Sequence, residues 1–183
     1  VLCGFYPYSE VEEPGVLVGP ITRRSCGSNP TLAILFITLK IIMQTFLPYS
    51  DFEKSVKTLD YRRLGKQRVE AFQILNVLLN RTSSSAWKNH PAVLMWKDHE
   101  NALKLYLNIC ITEWISRGYK NTMKTEKING KVALPTWLGK RKFHSSHKSN
   151  LLRKDKKHYS QFKWKENPDL PYIWPTNKTN NKP

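Results

Sequence analysis

Apolar and polar positions recur with helical periodicity between residues 60 and 79. One face of the predicted helix collects apolar side chains: Tyr61, Leu64, Ala71, Phe72, Leu75, Leu78 and Leu79. The opposite face carries polar side chains: Arg62, Arg63, Lys66, Glu70 and Gln73. Asp60 is a residue type that commonly caps helices, so we predict an amphipathic helix that begins there. Arg68 interrupts the apolar face.

A second helical pattern runs over residues 91–117. Pro91 suits the first helical position, and Gly118 suits the position just past the last turn. The apolar face holds Ala92, Met95, Trp96, Ala102, Leu103, Tyr106, Ile109, Cys110 and Trp114. Three polar residues lie within that face, namely His99, Glu113 and Arg117. We therefore predict one helix over 91–117 that packs against the first.

Each of the two helices carries a charge on its apolar face. An unpaired buried charge is costly, so Arg68 and Glu113 are predicted to form a structural ion pair across the packing interface. Buried ionisable groups also occur in active sites, and that alternative remains open for this pair.

The helical pattern predicts an all-α fold, a compact single-domain helical bundle with extended loops and a Pro-rich C-terminal tail. We place this domain at residues 43–175, with Tyr172 and Trp174 packed on its body, and expect 176–183 to be disordered. Residues 1–42 contain many Pro and Gly residues, which interrupt helices and strands, and show no sustained apolar periodicity. We interpret them as upstream sequence translated in frame or a disordered segment. The alternative is a genuine extension with a short apolar helix.

The chain carries 30 Lys and Arg against 14 Asp and Glu, a net charge of +16. Residues 1–42 are neutral, so the whole excess belongs to 43–183. Such an excess favours a polyanionic partner, and we expect this partner to be double-stranded DNA. We expect the protein to bind it as a monomer. The alternative is that the charge only keeps the domain soluble. The three cysteines are too few and scattered for a disulfide framework, which favours an intracellular location. The apolar run 32–42 is too short for a membrane span.

Positive charge is densest between residues 140 and 163, where a single acid, Asp155, occurs. We predict DNA contacts from this region at Lys140, Arg141, Lys142, His144, His147, Lys148, Arg153 and Lys154. Ser145, Ser146 and Ser149 are interleaved and suit phosphate oxygens. A solvated basic face is the alternative. His144, His147 and His158 also allow a metal nuclease, but we expect no metal and no cofactor.

Several stretches resemble a known family. These are "MQTFLPYSDFEKSVKTLDYRRLGKQRVEAFQIL", "WKNHPAVLMW", "LPTWLG" and "FHSSHKSNLLRKDKKHY" followed by "LPYIWP". They resemble small bacterial and viral proteins grouped with the pyrimidine-dimer DNA glycosylases of the phage endonuclease V type. The resemblance covers residues 43–175. The likeness to the phage enzymes rests on Tyr61-Arg62-Arg63-Leu64, on His90 before a long helix, and on the helix end from Glu113 to Tyr119.

The resemblance implies an all-helical enzyme that cleaves the N-glycosidic bond of a damaged pyrimidine and then cuts the strand. In such enzymes a terminal amine attacks the sugar C1′ and forms an imine, while a carboxylate stabilises charge and moves protons. Basic residues hold the flanking phosphates around an extruded nucleotide, a role that the resemblance gives here to Arg62, Arg63 and His90.

This chain departs from the phage-type pattern in two places. The catalytic glutamate position is occupied by Arg63, and Glu70 is the nearest replacement. Lys66 lies one turn before Glu70, so we expect this carboxylate to stay ionised; an ordinary ion pair is the alternative. The reactive amine is then the α-amine of Met43, in a chain that starts at Met43 and has Thr45 as its third residue, or else the side-chain amine of Lys66. The second function considered is a non-catalytic nucleic-acid-binding module on the same scaffold.

Overall fold

The computed structural model describes residues 43–82 and 87–175 of the chain. Within these ranges the secondary structure consists of helices alone, which confirms the predicted all-α class. The helices are α1 (Phe52–Lys57), α2 (Tyr61–Leu78), α3 (Pro91–Trp96), α4 (Glu100–Ser116), α5 (Arg141–Lys154) and α6 (Lys156–Tyr159), followed by a 3₁₀ turn (Ser160–Phe162). The predictions for residues 1–42 and 176–183 lie outside the described residues. No helix in the described ranges is long and apolar enough to cross a membrane.

Helix α2 begins where the sequence predicts. The Asp60 carboxylate accepts hydrogen bonds from the backbone N–H groups of Arg62 and Arg63, as an N-cap does. The helix packs along α4, and Gly65 permits the close approach. A Cβ at Gly65 would lie 3.0 Å from the Trp114 ring, so a larger residue would push the helices apart. Tyr61, assigned to the apolar face, is instead 52% exposed.

The predicted helix over 91–117 is broken into two. Helix α3 ends at Trp96, and α4 begins at Glu100 after a turn in which Asp98 adopts a φ of 68°. Apolar periodicity conceals this break because Trp96 and Ala102, on either side of it, are both fully buried. The predicted end is confirmed, since Gly118 has a φ of 81° and donates its N–H to the carbonyl of Ile115.

The predicted ion pair between Arg68 and Glu113 is wrong. Arg68 places its guanidinium 3.9 Å from the centroid of the Trp114 ring and donates to Asn121 Oδ1 at 2.8 Å. Glu113 accepts from Arg117 Nε at 2.8 Å within its own helix. The partners of the Arg68 guanidinium are therefore a ring face and a side-chain amide, and no carboxylate is needed beside it. Arg68 is only partly buried, so its charge remains in partial contact with solvent.

The tail to residue 175 packs on α5, as predicted, and the α5 serines form part of this contact. Ser149 Oγ accepts from the Leu170 N–H at 3.0 Å, and Ser146 Oγ accepts from the Ile173 N–H at 3.3 Å. Ser145 Oγ donates to Glu166. These hydroxyls are engaged by the protein's own chain, which corrects the prediction that they contact phosphate.

Candidate active site

A pocket of about 250 Å³ forms where α2, the end of α5 and the extended segment before α1 meet. Its wall consists of Gln44, Phe46, Arg62, Arg63, Lys66, Glu70 and Lys154. The structure thus brings together two of the predicted catalytic residues, Lys66 and Glu70, with three of the predicted DNA contacts.

The backbone on one side of the pocket is held by Gln67, a fully buried residue of α2. Its Nε2 donates to the carbonyl of Gln44 at 2.7 Å, and its Oε1 accepts from the N–H of Phe46 at 2.8 Å. The buried hydroxyl of Tyr106 has two acceptors for its single proton, the carbonyl of Phe46 at 3.1 Å and Gln67 Oε1 at 2.9 Å. The backbone N–H and C=O groups of this extended segment are therefore hydrogen-bonded by side chains, whereas in a β-sheet they would be bonded by the backbone of a neighbouring strand.

Two histidines of α5 hold the next residue, Leu47. His147 Nδ1 accepts from the Leu47 N–H at 2.9 Å, and His144 Nδ1 lies 2.8 Å from the Leu47 carbonyl. Because His144 Nε2 accepts from the Gly139 N–H, its Nδ1 must carry the proton that goes to Leu47. Burial lowers the pKa of both rings, most strongly for His147, so both are neutral at pH 7.

This arrangement contradicts the prediction that His144 and His147 contact phosphates, since both rings are buried and occupied by backbone. It also removes them from the metal-nuclease alternative. Across residues 43–82 and 87–175, no group of three or more His, Cys, Asp or Glu side chains is placed to hold a metal ion.

Thr45 and Met43 are both buried, with exposed fractions of 0% and 3%. The Thr45 hydroxyl accepts from Trp96 Nε1 at 3.3 Å, and its carbonyl accepts from the Tyr172 hydroxyl at 2.5 Å. The Thr45 side chain therefore faces the core and is not part of the pocket wall, contrary to its predicted catalytic role. Residue 43 is one peptide unit from Gln44, which does line the pocket.

Glu70 is only 4% exposed, although the helical pattern places it on the polar face. Its Oε2 accepts from Gln67 Nε2 at 3.0 Å, while Oε1 lies 3.5 Å from Lys66 Nζ and has no hydrogen-bond partner. Burial raises the pKa of Glu70 to about 7, against the opposing effects of the Lys66 charge and the Gln44 backbone N–H. The carboxyl is therefore about half protonated at neutral pH, which corrects the expectation that it stays ionised.

Arg63 contacts residues at the start of α2 and at the end of α5. It lies 3.4 Å from Asp60 and 3.9 Å from Asp155, and it donates to the carbonyl of Lys154 at 3.0 Å. Asp60 also accepts from the buried Tyr159 hydroxyl at 2.6 Å. Arg63 therefore ties the first turn of α2 to the end of α5, which places Lys154 beside the pocket.

The remaining predicted DNA contacts lie in several places. Lys140, Arg141 and Lys142 are exposed at the start of α5, and a helix of 14 residues puts them about 21 Å from its other end. Arg153 is exposed near the pocket. Lys148 is paired with Glu166 at 3.2 Å.

Two more of these predicted contacts are His90 and Arg62. His90 caps α3, with Nδ1 accepting from the Ala92 N–H at 3.1 Å, and packs against the rings of Trp87 and Trp174. Arg62 is exposed at the pocket and donates to the Tyr61 hydroxyl at 2.9 Å.

A family model described as pyrimidine dimer DNA glycosylase matches residues 43–127. Residues 43–127 are therefore similar to the pyrimidine dimer DNA glycosylases. The matched part contains every pocket residue except Lys154, and it contains Gln67 and Tyr106. The matched segment ends before α5, so the two histidines that hold Leu47 lie beyond it. No curated protein and no solved structure matches the chain significantly.

Sequence reasoning missed Gln67, which contacts the pocket backbone, Glu70 and Tyr106. A signal was present, because a polar residue three positions before Glu70 must share its side of the helix. Tyr106 was assigned to the core for its ring, and nothing in its spacing indicates what its hydroxyl binds.

Proposed function

We propose that residues 43–175 form a DNA glycosylase with AP-lyase activity that acts on damaged pyrimidines, pyrimidine dimers in particular, in duplex DNA. The observation that carries this proposal is a buried carboxyl with a pKa near 7 beside residue 44, in a pocket surrounded by cations. The match of residues 43–127 to the glycosylase family model supports the substrate class. Such an enzyme works inside the cell, and we propose that it acts as a monomer.

The proposed nucleophile is the α-amine of Met43 in a chain that starts at that residue. This assignment is supported by the pocket wall, because Gln44, the residue next to Met43, lines the same pocket as Glu70. The neutral amine attacks C1′, the bond from C1′ to the pyrimidine breaks, and the base departs with the electron pair. The amine loses its protons as the sugar ring opens, which leaves an imine between Met43 and C1′.

Glu70 is the proposed acid and base. Because its pKa is about 7, it can give a proton to the opening sugar and then take one from C2′. Loss of the C2′ proton drives the electron pair toward the imine, the C3′–O bond breaks, and the strand is cut with phosphate as the leaving group. Lys66, 3.5 Å from the carboxyl, stabilises the ionised form that removes the C2′ proton.

The cations at the pocket are proposed to hold the phosphates on either side of the lesion. Arg62 is exposed on α2 and lines the pocket, and Arg153 is exposed on α5 next to Lys154, which also lines it. Phosphate contacts of this kind fix the position of a duplex without reading its sequence, which suits an enzyme whose target is damage.

The test is borohydride trapping of the imine on duplex DNA irradiated with ultraviolet light. We expect protein made from Met43 to be trapped, the 183-residue chain to be trapped far less because residue 43 is then an amide, and Glu70→Gln of the shorter protein to lose trapping. Equal trapping of both chain forms would refute the role of the Met43 amine.

Arg63 in the glutamate position favours a second candidate, a nucleic-acid-binding module without catalysis. Trapping by neither form, together with intact affinity for duplex DNA, would support that candidate.

A further inference from the structure

We propose that Lys154 is a second nucleophilic amine of the pocket, which forms an imine with the C1′ aldehyde of abasic deoxyribose. This inference rests on the proposed function for its substrate class. It differs in its nucleophile, because it does not need a free amine at residue 43.

Geometry distinguishes Lys154 from the other pocket lysine. Lys154 is the last residue of α5 and lines the same pocket as Glu70, with its Nζ 5.8 Å from the centroid of the Phe46 ring. Its ammonium has no salt bridge among the described residues, whereas Lys66 Nζ lies 3.5 Å from Glu70 Oε1. Lys66 therefore has a carboxyl partner in the pocket, whereas Lys154 has none.

The groups around Lys154 favour its neutral form. Lys154 is exposed at the pocket. Partial desolvation lowers the pKa of its ammonium and the positive charges of Lys66, Arg63 and Arg153 lower it further, while Glu70 and the Phe46 ring oppose them. The nearby carboxylate of Asp155 is itself engaged by Arg63. A lysine desolvated beside other cations is a known way to obtain a reactive amine near neutral pH.

The backbone fixes where this amine sits. Arg63 donates to the Lys154 carbonyl at 3.0 Å, which joins the end of α5 to the first turn of α2. Glu70 lies on that same helix, so the amine and the carboxyl are carried by two elements in direct contact.

The proposed reaction uses only these two groups and water. The neutral amine attacks the open-chain aldehyde to give a carbinolamine. Protonated Glu70 gives its proton to the carbinolamine hydroxyl, which leaves as water, and this produces a protonated imine and an ionised Glu70 carboxylate. Glu70 in its ionised form takes the C2′ proton, the C3′–O bond breaks, and phosphate leaves with the electron pair. Water then hydrolyses the conjugated imine and returns Lys154 as an amine.

The test uses the 183-residue chain, borohydride and a duplex with one natural abasic site. Lys154→Arg keeps the charge but cannot form the imine, so trapping should fall at least about tenfold, while duplex affinity at the same salt changes little. Lys165→Arg, an exposed lysine outside the pocket, is the matched control and should be trapped like the parent. Peptide mapping of the parent adduct should place the sugar on Lys154.

A second measurement is independent of variants. Competitive acetylation of the parent protein across pH should modify Lys154 at lower pH than Lys165. Undiminished trapping of Lys154→Arg, an adduct mapped to Lys66, or acetylation of Lys154 and Lys165 at the same pH would each overturn the inference.

The two proposals fail separately. Trapping of the Met43-initiated protein on irradiated DNA, with no adduct on Lys154 from abasic DNA, would leave the glycosylase standing without this second amine. A Lys154 adduct with abasic DNA, and none by either form on irradiated DNA, would leave the amine without the glycosylase.

Discussion

Replacing Gln67 by Leu tests how the pocket is held together. Leu has a similar size but no polar atoms, so the Gln44 carbonyl and the Phe46 N–H would both lose their partner inside the protein. Each buried backbone group left unpaired costs about 1–3 kcal/mol, which gives about 2–6 kcal/mol for the two. The Tyr106 hydroxyl keeps its bond to the Phe46 carbonyl and adds little to this loss.

The measurement is urea unfolding at pH 7, with Gln73→Leu as the matched control. Gln73 lies on the same helix and is exposed, so the same change there should shift the free energy of unfolding by less than about 0.5 kcal/mol. Glu70 also loses a donor in Gln67→Leu, so its pKa should rise further, which carbon NMR of the carboxyl can follow. Equal costs at positions 67 and 73 would refute the reasoning.

Three further predictions concern charge. The pKa of Glu70 is about 7 in the folded protein and near 4.5 in the unfolded chain, so the folded state keeps this proton to higher pH. The free energy of unfolding should therefore fall by about 3 kcal/mol as the pH rises from 4.5 through 7, and urea unfolding of Glu70→Gln should lack this pH dependence. A double-mutant cycle should couple Arg68 to Asn121, while a cycle between Arg68 and Glu113 should be additive; coupling only in the second would contradict the observed contacts. Arg62→Ala should reduce the slope of log affinity for duplex DNA against log salt by about 0.9, and an unchanged slope would show that Arg62 does not contact phosphate.

The helices were predictable where local chemistry determines them. Asp60 caps α2 and Gly118 follows the end of α4 as the sequence predicts, because a cap and a left-handed residue are local signals. The break at Asp98 was not predictable from periodicity, since apolar residues on both sides of it remain buried. Apolar periodicity predicts which face of a helix a residue lies on, but it does not predict where one helix ends and the next begins in a new direction.

The site was predictable in part for the same reason. Helical spacing places Lys66 beside Glu70, and the two are indeed paired. The pKa of Glu70 depends on burial beneath residues distant in sequence, so a helical wheel could not reveal it. His144 and His147 were assigned by their basic neighbours, whereas long-range contacts with Leu47 determine their role.

Two of the side chains that hold residues 45–47 come from the far end of the chain. His147 is 100 residues from Leu47, and Tyr172 is 127 residues from Thr45. Contacts at such separation form late in folding, after local helices have appeared. On the ribosome, residues 45–47 therefore emerge early, whereas His147 and Tyr172 become available to bind them only after almost the entire domain has been synthesised. A truncated chain that ends before Tyr172 would contain every residue of the pocket wall but would lack the hydroxyl that binds the Thr45 carbonyl.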